Sequence, residues 1–268
     1  MIARAGLVAS ARGAGAALLD LVFPPVCVAC DALVGGRIES LVCGTCWARL
    51  SALSAPRCER CGHPSDGHAC RWCPSLPPYV RAVRSPYWVR SGTALAIVHA
   101  LKYGGWTEVA RGMASRIARV AWPEDVVHER TALVPVPLAR DRERERGFNQ
   151  SALLARSLAD RWSMPAWEDV LVRSRATETQ TRLTPEQRRH NVSGAFRVAA
   201  GAAAGLRGTH IILVDDVVTT SATLNACAAA LFDGGARIIS YATFGRAPAI
   251  GDRIEMTGEL LDGNSRRH

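Results

Sequence analysis

The chain has 268 residues, of which 48% are hydrophobic, and carries a formal net charge of +9 at pH 7. This length and apolar content suit one medium-sized domain with its own core plus a small appendage, and the absence of an apolar run of membrane length argues against membrane insertion. All but one of the 33 basic residues are arginines, so the charge fits a surface that binds nucleic acid or phosphorylated metabolites as well as a plain soluble surface.

The first 23 residues predict a tail and a short helix that ends before Pro24. Arg12 and Asp20 interrupt the apolar residues, and no cleavage site follows them, so the segment does not fit a secretory signal peptide. We therefore expect a cytoplasmic protein, in which cysteines stay reduced.

Residues 24–78 predict a double zinc ribbon, because eight of the nine cysteines form four C-x-x-C pairs there. Two thiolates separated by two residues can hold one metal ion, and two such pairs complete the tetrahedral Cys₄ shell that zinc prefers. The alternative, a set of disulfides in a secreted protein, conflicts with the missing signal peptide. The expected ligands of two structural zinc ions are Cys27, Cys30, Cys43, Cys46, Cys58, Cys61, Cys70 and Cys73.

The spacing leaves two ways of pairing the four C-x-x-C motifs. Either the first joins the second and the third joins the fourth, or the motifs are cross-braced, first with third and second with fourth. Both arrangements close the coordination shell, so we expect zinc to stabilise a small domain and catalysis to lie elsewhere. The ninth cysteine, Cys227, is expected inside a helix as a small buried residue.

After a linker at Pro77 and Pro78, residues 79–248 alternate between short apolar runs and helical patterns. This order predicts an α/β fold, a mainly parallel sheet flanked by helices. Residues 249–268 predict a C-terminal tail. The predicted strands lie near 87–89 and at 131–138, 168–175, 194–198, 211–214 and 236–247, and the predicted helices lie at 93–101, 108–120, 148–162 and from 222 onward.

The stretch "VDDVVTTSAT", Val214 to Thr223, is predicted to place Asp215 and Asp216 between a buried strand and a helix. At this edge of an open α/β sheet, loops converge and helix N-termini offer free N–H groups to anions. The sequence does not favour a nucleotide-binding fold that depends on a Walker sequence or on G-x-G-x-x-G, because neither motif is present. A carboxylate pair alone also fits a plain strand end followed by a helix cap.

This stretch resembles the signature of type I phosphoribosyltransferases, and five further motifs resemble those of the ComF family in chain order. The resemblance extends from Leu19 to Arg246 and implies a type I phosphoribosyltransferase-like fold with an N-terminal zinc-ribbon region. The five motifs are "LKYGG" (101–105), "PVPL" (135–138), "RGFNQS" (146–151), "RATETQ" (175–180) and "RRHNVSGAF" (188–196).

The resemblance implies a site for phosphoribosyl pyrophosphate with Mg²⁺. The two acidic residues would accept hydrogen bonds from the ribose hydroxyls, and the following loop would hold the 5′-phosphate. The implied substrate-binding residues are Asp215, Asp216, Thr219, Thr220, Ser221, Ala222 and Thr223. The implied catalytic residues are Asp215, Asp216, Arg146, Arg175 and Lys102.

Two basic segments would complete this site. Residues 171–190 would close over pyrophosphate as a hood, although a plain surface loop is the alternative. In the loop after "PVPL", we favour Arg146, which precedes Gly147, over neighbours such as Arg142, because the alternation of charges there also fits an exposed helix.

Lys102 is the one lysine of the chain, and its compact charge is not interchangeable with a guanidinium.

The sequence leaves three classes of function open. As an enzyme, the protein would let an acceptor attack C1 of the ribose while pyrophosphate leaves. As an adaptor in competence-related DNA uptake, it would bind a partner protein or single-stranded DNA through the ribbons, where Trp47, Trp72 and Trp88 either stack on bases or pack a small domain. As a regulator, it would bind the ligand without turnover, because Ser221 replaces the glycine usual in the family; a positive φ there would cost about 1 kcal/mol. No motif identifies the acceptor or the oligomeric state.

Overall fold

The computed structural model describes residues 24–34, 41–65, 69–174, 194–249 and residue 252. Three parts of the sequence prediction lie outside these residues: the N-terminal helix before Pro24, residues 175–190 of the predicted hood with the expected catalytic residue Arg175, and residues 250, 251 and 253–268 of the predicted C-terminal tail. Within the described part of the chain, no helix is both long enough and apolar enough to cross a membrane.

The centre of the fold is a five-stranded sheet in which every pairing is parallel. Its strands are β1 (Val80–Arg84), β2 (Tyr87–Trp88), β3 (Arg130–Pro135), β6 (His210–Val218) and β7 (Ile238–Arg246), in the spatial order β1-β7-β6-β3 with β2 beside β7. Along β6, Ile212 and Val214 join one hydrophobic core, and Ile211 and Leu213 join the other. This alternation is typical of a strand that is covered on both faces.

Helices cover both faces of this sheet, and the predicted α/β fold class is confirmed. Within the described residues, the helices are α1 (Gly44–Ala48), α2 (Gly92–Tyr103), α3 (Val109–Ile117), α4 (Glu124–Glu129), α5 (Arg140–Arg146), α6 (Gln150–Trp162), α7 (Ala203–Leu206) and α8 (Ala222–Asp233). On one face, Leu101, Met113 and Leu158 pack over the sheet from three different helices, α2, α3 and α6. The other face is covered by α8 through Leu224 and Leu231, beside a separate antiparallel pair, β4 (Leu171–Arg173) and β5 (Phe196–Val198).

Strand β6 is longer than the sequence predicts, and this difference shapes the site. The apolar run ends at Val214, but β6 continues through both aspartates to Val218. Pairing with β7 extends to Val218, whereas β3 ends opposite Val214 at Pro135. The aspartates therefore lie within β6 itself. At their positions β7 still pairs with β6, whereas β3 has already ended.

Other departures from the predicted elements have local causes. Strand β1 was not predicted, because Arg81 and Arg84 interrupt its apolar pattern; Arg84 is nevertheless buried and donates to three carbonyl groups. The strand predicted over 131–138 ends at Pro135, although the Val136 N–H still donates to the Val214 carbonyl of β6 at 3.0 Å. The strands predicted at 168–175 and 194–198 exist as β4 and β5 but pair with each other, apart from the main sheet.

The cysteine-rich region packs directly against the α/β part of the chain. Cys27 and Cys46 belong to the hydrophobic core on one face of the sheet, and Cys61 and Leu76 belong to the core on the other. Polar contacts add to this packing, because Arg246 Nη2 donates to the Cys61 carbonyl at 2.6 Å. The predicted boundary between residues 78 and 79 stays a prediction.

Candidate functional site

The eight paired cysteines form two clusters, and within each cluster the sulfur atoms lie within 4.8 Å of one another. Cys27, Cys30, Cys43 and Cys46 form the first cluster, and Cys58, Cys61, Cys70 and Cys73 form the second. Successive C-x-x-C motifs therefore pair, and the cross-braced alternative is ruled out.

The geometry of both clusters fits zinc. The Sγ–Sγ distances include 3.7 Å for Cys30 and Cys43 and 3.3 Å for Cys61 and Cys70. Four sulfurs about 2.3 Å from a tetrahedral zinc ion would lie roughly 3.8 Å apart. The Cys43 N–H also points at Cys27 Sγ, 3.3 Å away. Burial alone would raise the pKa of Cys27, but backbone N–H donors lower it to about 7, whereas burial raises the pKa of Cys46 in the same cluster. A bound cation would favour the thiolate at all four cysteines.

The candidate ligand site is a cleft of about 430 Å³ at the carboxyl end of β6. Residues 136–139 after β3, the C-terminal half of α2 and the turn that opens α8 form its walls. Clefts at this edge of an open α/β sheet are the usual binding places for ligands. Lys102, Asp215 and Asp216 all line it, so three of the expected catalytic residues meet here.

Asp215 is held by a residue that the sequence analysis did not single out. Ser151, in the first turn of α6, donates its hydroxyl to Asp215 Oδ1 at 2.8 Å, and the Asp216 N–H donates to the same oxygen at 2.9 Å. Burial raises the pKa of Asp215 to about 7, and the negative charge of Asp216 adds to the effect while Lys102 opposes it. Asp215 therefore changes charge near neutral pH.

Asp216 is 4% exposed and forms an ion pair with Lys102. Burial alone would lower the pKa of Lys102, but the charge of Asp216 outweighs that effect and holds the pKa above its ordinary value. The one lysine of the chain is therefore the counter-ion of the buried aspartate. Its place in α2, one residue before the helix ends at Tyr103, brings it to the lining of the cleft.

The turn between β6 and α8 has the backbone conformation that usually requires glycine. Ser221 has φ +60° and ψ 4°, and its side chain makes no capping hydrogen bond to the helix. Thr219, Ser221, Ala222 and Thr223 line the cleft, whereas Thr220 belongs to the turn but not to the lining. The N-terminus of α8 is the positive end of the helix dipole, and its N–H groups point toward the turn, so this end of the helix is suited to an anion.

The arginines divide between the lining and the support of the cleft. Arg142 and Arg173 line it, and burial, with a smaller contribution from the like charge of Arg142, lowers the pKa of Arg173. Arg146, which the sequence analysis favoured over Arg142, donates to Gln150 Oε1 at 2.6 Å and lies 5.2 Å from the centre of the Tyr103 ring. Arg146 therefore stands behind two residues of the lining, and its catalytic role stays a prediction.

Similarity to known proteins adds to this geometry. A family model described as a double zinc ribbon domain matches residues 18–76. The chain is 33% identical over 213 residues to the DNA utilization protein YhgH of Salmonella typhi, covering 74% of this chain and 87% of that protein. It is 28% identical over 230 residues to the competence protein ComFC of Bacillus subtilis, covering 78% of this chain and 90% of that protein.

Similar solved structures include the glutamine phosphoribosylpyrophosphate amidotransferase of B. subtilis, at 14% identity and a TM-score of 0.35, covering 52% of this chain and 26% of that one. A hypoxanthine phosphoribosyltransferase of Trypanosoma cruzi matches at 20% identity and a TM-score of 0.32, covering 56% of this chain and 68% of that one. Such TM-scores carry no weight for function. The identity to YhgH over most of its length, together with the ribbon match, shows that the chain belongs to the ComF family.

Proposed function

We propose that the cleft binds phosphoribosyl pyrophosphate together with Mg²⁺. The observation that carries the proposal is the placement of Asp215 and Asp216 in the lining of the cleft, two residues before β6 ends and the turn to α8 begins. Carboxylates accept hydrogen bonds from ribose hydroxyls, and the N–H groups at the start of α8 favour a 5′-phosphate.

The opposite end of the ligand would meet positive charge. Arg142 and Arg173 line the cleft and would contact the pyrophosphate, and Arg146 would hold Gln150 and Tyr103 in place behind them. When bound, Mg²⁺ would offset the charge that develops on the departing pyrophosphate. The carboxylate oxygens of the cleft belong to the hard oxygen donors that suit this ion or its water shell.

Transfer to an acceptor would follow from the same arrangement. The lone pair of the acceptor forms the new bond to C1 of the ribose, and pyrophosphate leaves with the electron pair of the broken C1–O bond. No side chain forms a covalent intermediate in this scheme. The residues of the chain would act by orienting the ligand and stabilising charge on the leaving group.

Calorimetric titration of phosphoribosyl pyrophosphate with Mg²⁺ into the full chain tests binding. We expect the wild type to bind and the double variant Asp215→Asn/Asp216→Asn to lose binding. The matched control, Asp160→Asn/Asp169→Asn, removes two exposed carboxylates elsewhere and should bind normally. An unchanged affinity in the first variant, or no binding by the wild type, would refute the proposal. Pyrophosphate release with candidate bases then separates an enzyme from a regulator that binds without turnover.

A second candidate function is a role in handling DNA, favoured by the names of the relatives, a DNA utilization protein and a competence protein. The ribbons would contact a partner protein or single-stranded DNA. Trp88 is 4% exposed and cannot stack on a base without rearrangement, so Trp47 and Trp72 are the remaining candidates. Replacement of both by Ala should weaken binding of single-stranded DNA at fixed salt; unchanged binding would remove base stacking from this candidate.

We also propose that the protein works in a reducing compartment such as the cytoplasm. Both Cys₄ clusters need free thiolates to hold zinc, and an oxidising compartment would convert such pairs to disulfides.

A further inference from the structure

A second cavity lies between the cysteine-rich region and helices α3 and α4. Its volume is about 1120 Å³, and it shares no lining residue with the cleft at Asp215. Four arginines line it, and we name it the arginine groove after them: Arg57, Arg84, Arg116 and Arg119.

None of these four arginines forms an ion pair with a carboxylate in the described part of the chain. Arg84 is held by the carbonyl groups of Val83, Glu59 and Ala121. Arg57 likewise donates to the carbonyl groups of Leu53 and Ser54. Arg116 donates to the Gly112 carbonyl at 3.2 Å, and burial lowers the pKa of Arg116, which shows that its positive charge is partly desolvated. A desolvated cation without an acidic partner is stabilised by an anion.

The carboxylates at the edge of the groove offset only part of this charge. Arg81, which lies outside the lining, pairs with Glu59 at 2.6 Å and with Asp125 at 2.5 Å. Glu124 is exposed and lies 3.6 Å from His128. Five arginines thus face three carboxylates and the Cys58 thiolate, which leaves a net positive charge.

Aromatic rings complete the lining. The guanidinium of Arg116 lies 3.4 Å from the centre of the Trp47 ring, so both planar groups are already stacked. Tyr87 and Trp122 also line the groove. Arginine next to an aromatic face is the combination that recognises a phosphate attached to a planar base, because the guanidinium fork matches phosphate and the rings offer stacking surface.

We propose that the arginine groove is a second ligand site that takes a nucleotide, an aromatic base carrying a phosphate. Arg57, Arg116 and Arg119 supply the charge for the phosphate. Tyr87 and the guanidinium plane of Arg116, which covers the face of Trp47, supply the surface for the base. The volume exceeds that of a typical small-ligand site, which leaves room for a free nucleotide or for a short stretch of a strand. The site is separate from the cleft and does not depend on the phosphoribosyl pyrophosphate proposal.

Two probes separate the sources of this ligand: thymidine 5′-monophosphate and a labelled oligothymidylate of about 12 nucleotides. Both are titrated into the full, zinc-loaded chain and into the Asp215→Asn/Asp216→Asn variant, in which the cleft is disabled. We expect at least one probe to bind both proteins equally. Binding should weaken as salt rises, because the contacts are charge-based.

The decisive variants are Arg116→Gln and Arg119→Gln, each expected to weaken binding about tenfold, the usual effect of losing a hydrogen bond to a charged group. Arg119 is exposed, so its replacement should leave the fold intact even if Arg116→Gln does not. Arg111→Gln is the matched control, because it removes an exposed arginine of α3 outside the groove.

The Arg116→Gln and Arg119→Gln variants should both bind phosphoribosyl pyrophosphate as the wild type does. Failure of the groove proposal is therefore distinguishable from failure of the proposed function of the cleft. No binding of either probe would overturn the groove proposal. So would equal binding by the wild type and the Arg119→Gln variant, or loss of binding in the aspartate double variant. Binding of the oligonucleotide alone would assign the groove to nucleic acid, and binding of the monophosphate would assign it to a free nucleotide.

Discussion

Asp215 and Asp216 are neighbours in the chain, but their surroundings give them different properties. Asp216 points at Lys102 and forms a buried ion pair, whereas Asp215 accepts hydrogen bonds from Ser151 and from the backbone. Successive residues of a strand face opposite sides, so each carboxylate meets a different set of partners. The Lys102 position keeps an ammonium in a chain that otherwise uses arginine, and burial of its partner gives a physical reason for retaining a positive charge there.

The raised pKa of Asp215 predicts that ligand affinity depends on pH. Because this pKa is about 7, the carboxylate is largely protonated below that pH and accepts hydrogen bonds poorly. The affinity for phosphoribosyl pyrophosphate with Mg²⁺ should therefore increase as the pH rises from about 6 to about 8, by at most about tenfold per unit. Calorimetry across this range measures it.

The Asp215→Asn variant is the control for this pH dependence. A 5′-phosphate has a second pKa of about 6, so part of the slope belongs to the ligand and should remain in the variant. A slope that is the same in both proteins would show that Asp215 does not cause it. The sign for folding is the reverse: an acid with a raised pKa in the folded state lowers the free energy of unfolding as the pH rises from about 4 to about 7.

At the scale of elements, the sequence predicted which segments are strands better than where they end. The β-branched run 211–214 marks β6, but aspartate is uncommon in strands, and only the partner strand β7 explains why β6 continues to Val218. Likewise, Ser221 replaces the glycine of the family motif. The sequence could not show that this residue has a positive φ, and the structure shows that it does. Pairing and turn geometry depend on neighbours that are distant in sequence.

The second cysteine cluster yields a prediction about metal content. Cys61→Ser should reduce zinc from about two ions to about one per chain, because one Cys₄ shell is broken. It should also lower the free energy of unfolding, since the Cys61 side chain packs in the core and the broken cluster no longer holds its metal ion. Metal analysis and denaturant unfolding measure the two effects.

Cys227→Ala is the matched control for Cys61→Ser. Cys227 is fully buried in α8 but lies outside both clusters, so its replacement should leave about two zinc ions per chain and cost about 1 kcal/mol through the lost sulfur. Equal zinc contents in the two variants would contradict the assignment of Cys61 as a ligand.

At the scale of the whole molecule, the ribbons and the α/β part of the chain share their hydrophobic cores. Polar contacts cross between them as well: Asn225 Nδ2 donates to the Ser75 carbonyl at 2.8 Å, and His63 Nε2 lies 2.8 Å from Asp252 Oδ1. Asn225 also follows the turn at Ser221 by one helical turn. The segment that carries the second cysteine cluster is thus connected to the helix that opens the cleft.

This shared packing predicts that the chain unfolds in one step. Circular dichroism, which follows the helices, and tryptophan fluorescence should give the same transition temperature. A zinc chelator should lower that single transition by about 10 °C or more, because loss of structural metal removes several kcal/mol from a common core. Two separate transitions, or a chelator effect on fluorescence alone, would show that the two regions are independent.

The sequence by itself determined the chemistry that depends on residue type and short spacing. Four C-x-x-C motifs predicted two Cys₄ clusters, and the order of short motifs predicted the ComF family and the α/β fold. These signals are local, because a metal-binding turn or a buried strand is encoded by residues that are close in the chain.

Only the tertiary structure decided which distant residues meet. It selected the sequential pairing of the cysteine motifs, joined Lys102 to Asp216, and brought Ser151 to Asp215 across 64 residues of sequence. It also brought the four arginines of the groove together from the ribbon region, β1 and α3 with the residues that follow it. A hydrogen bond or an ion pair forms within a few ångströms, and the packing of helices on a sheet, not spacing along the chain, sets such distances.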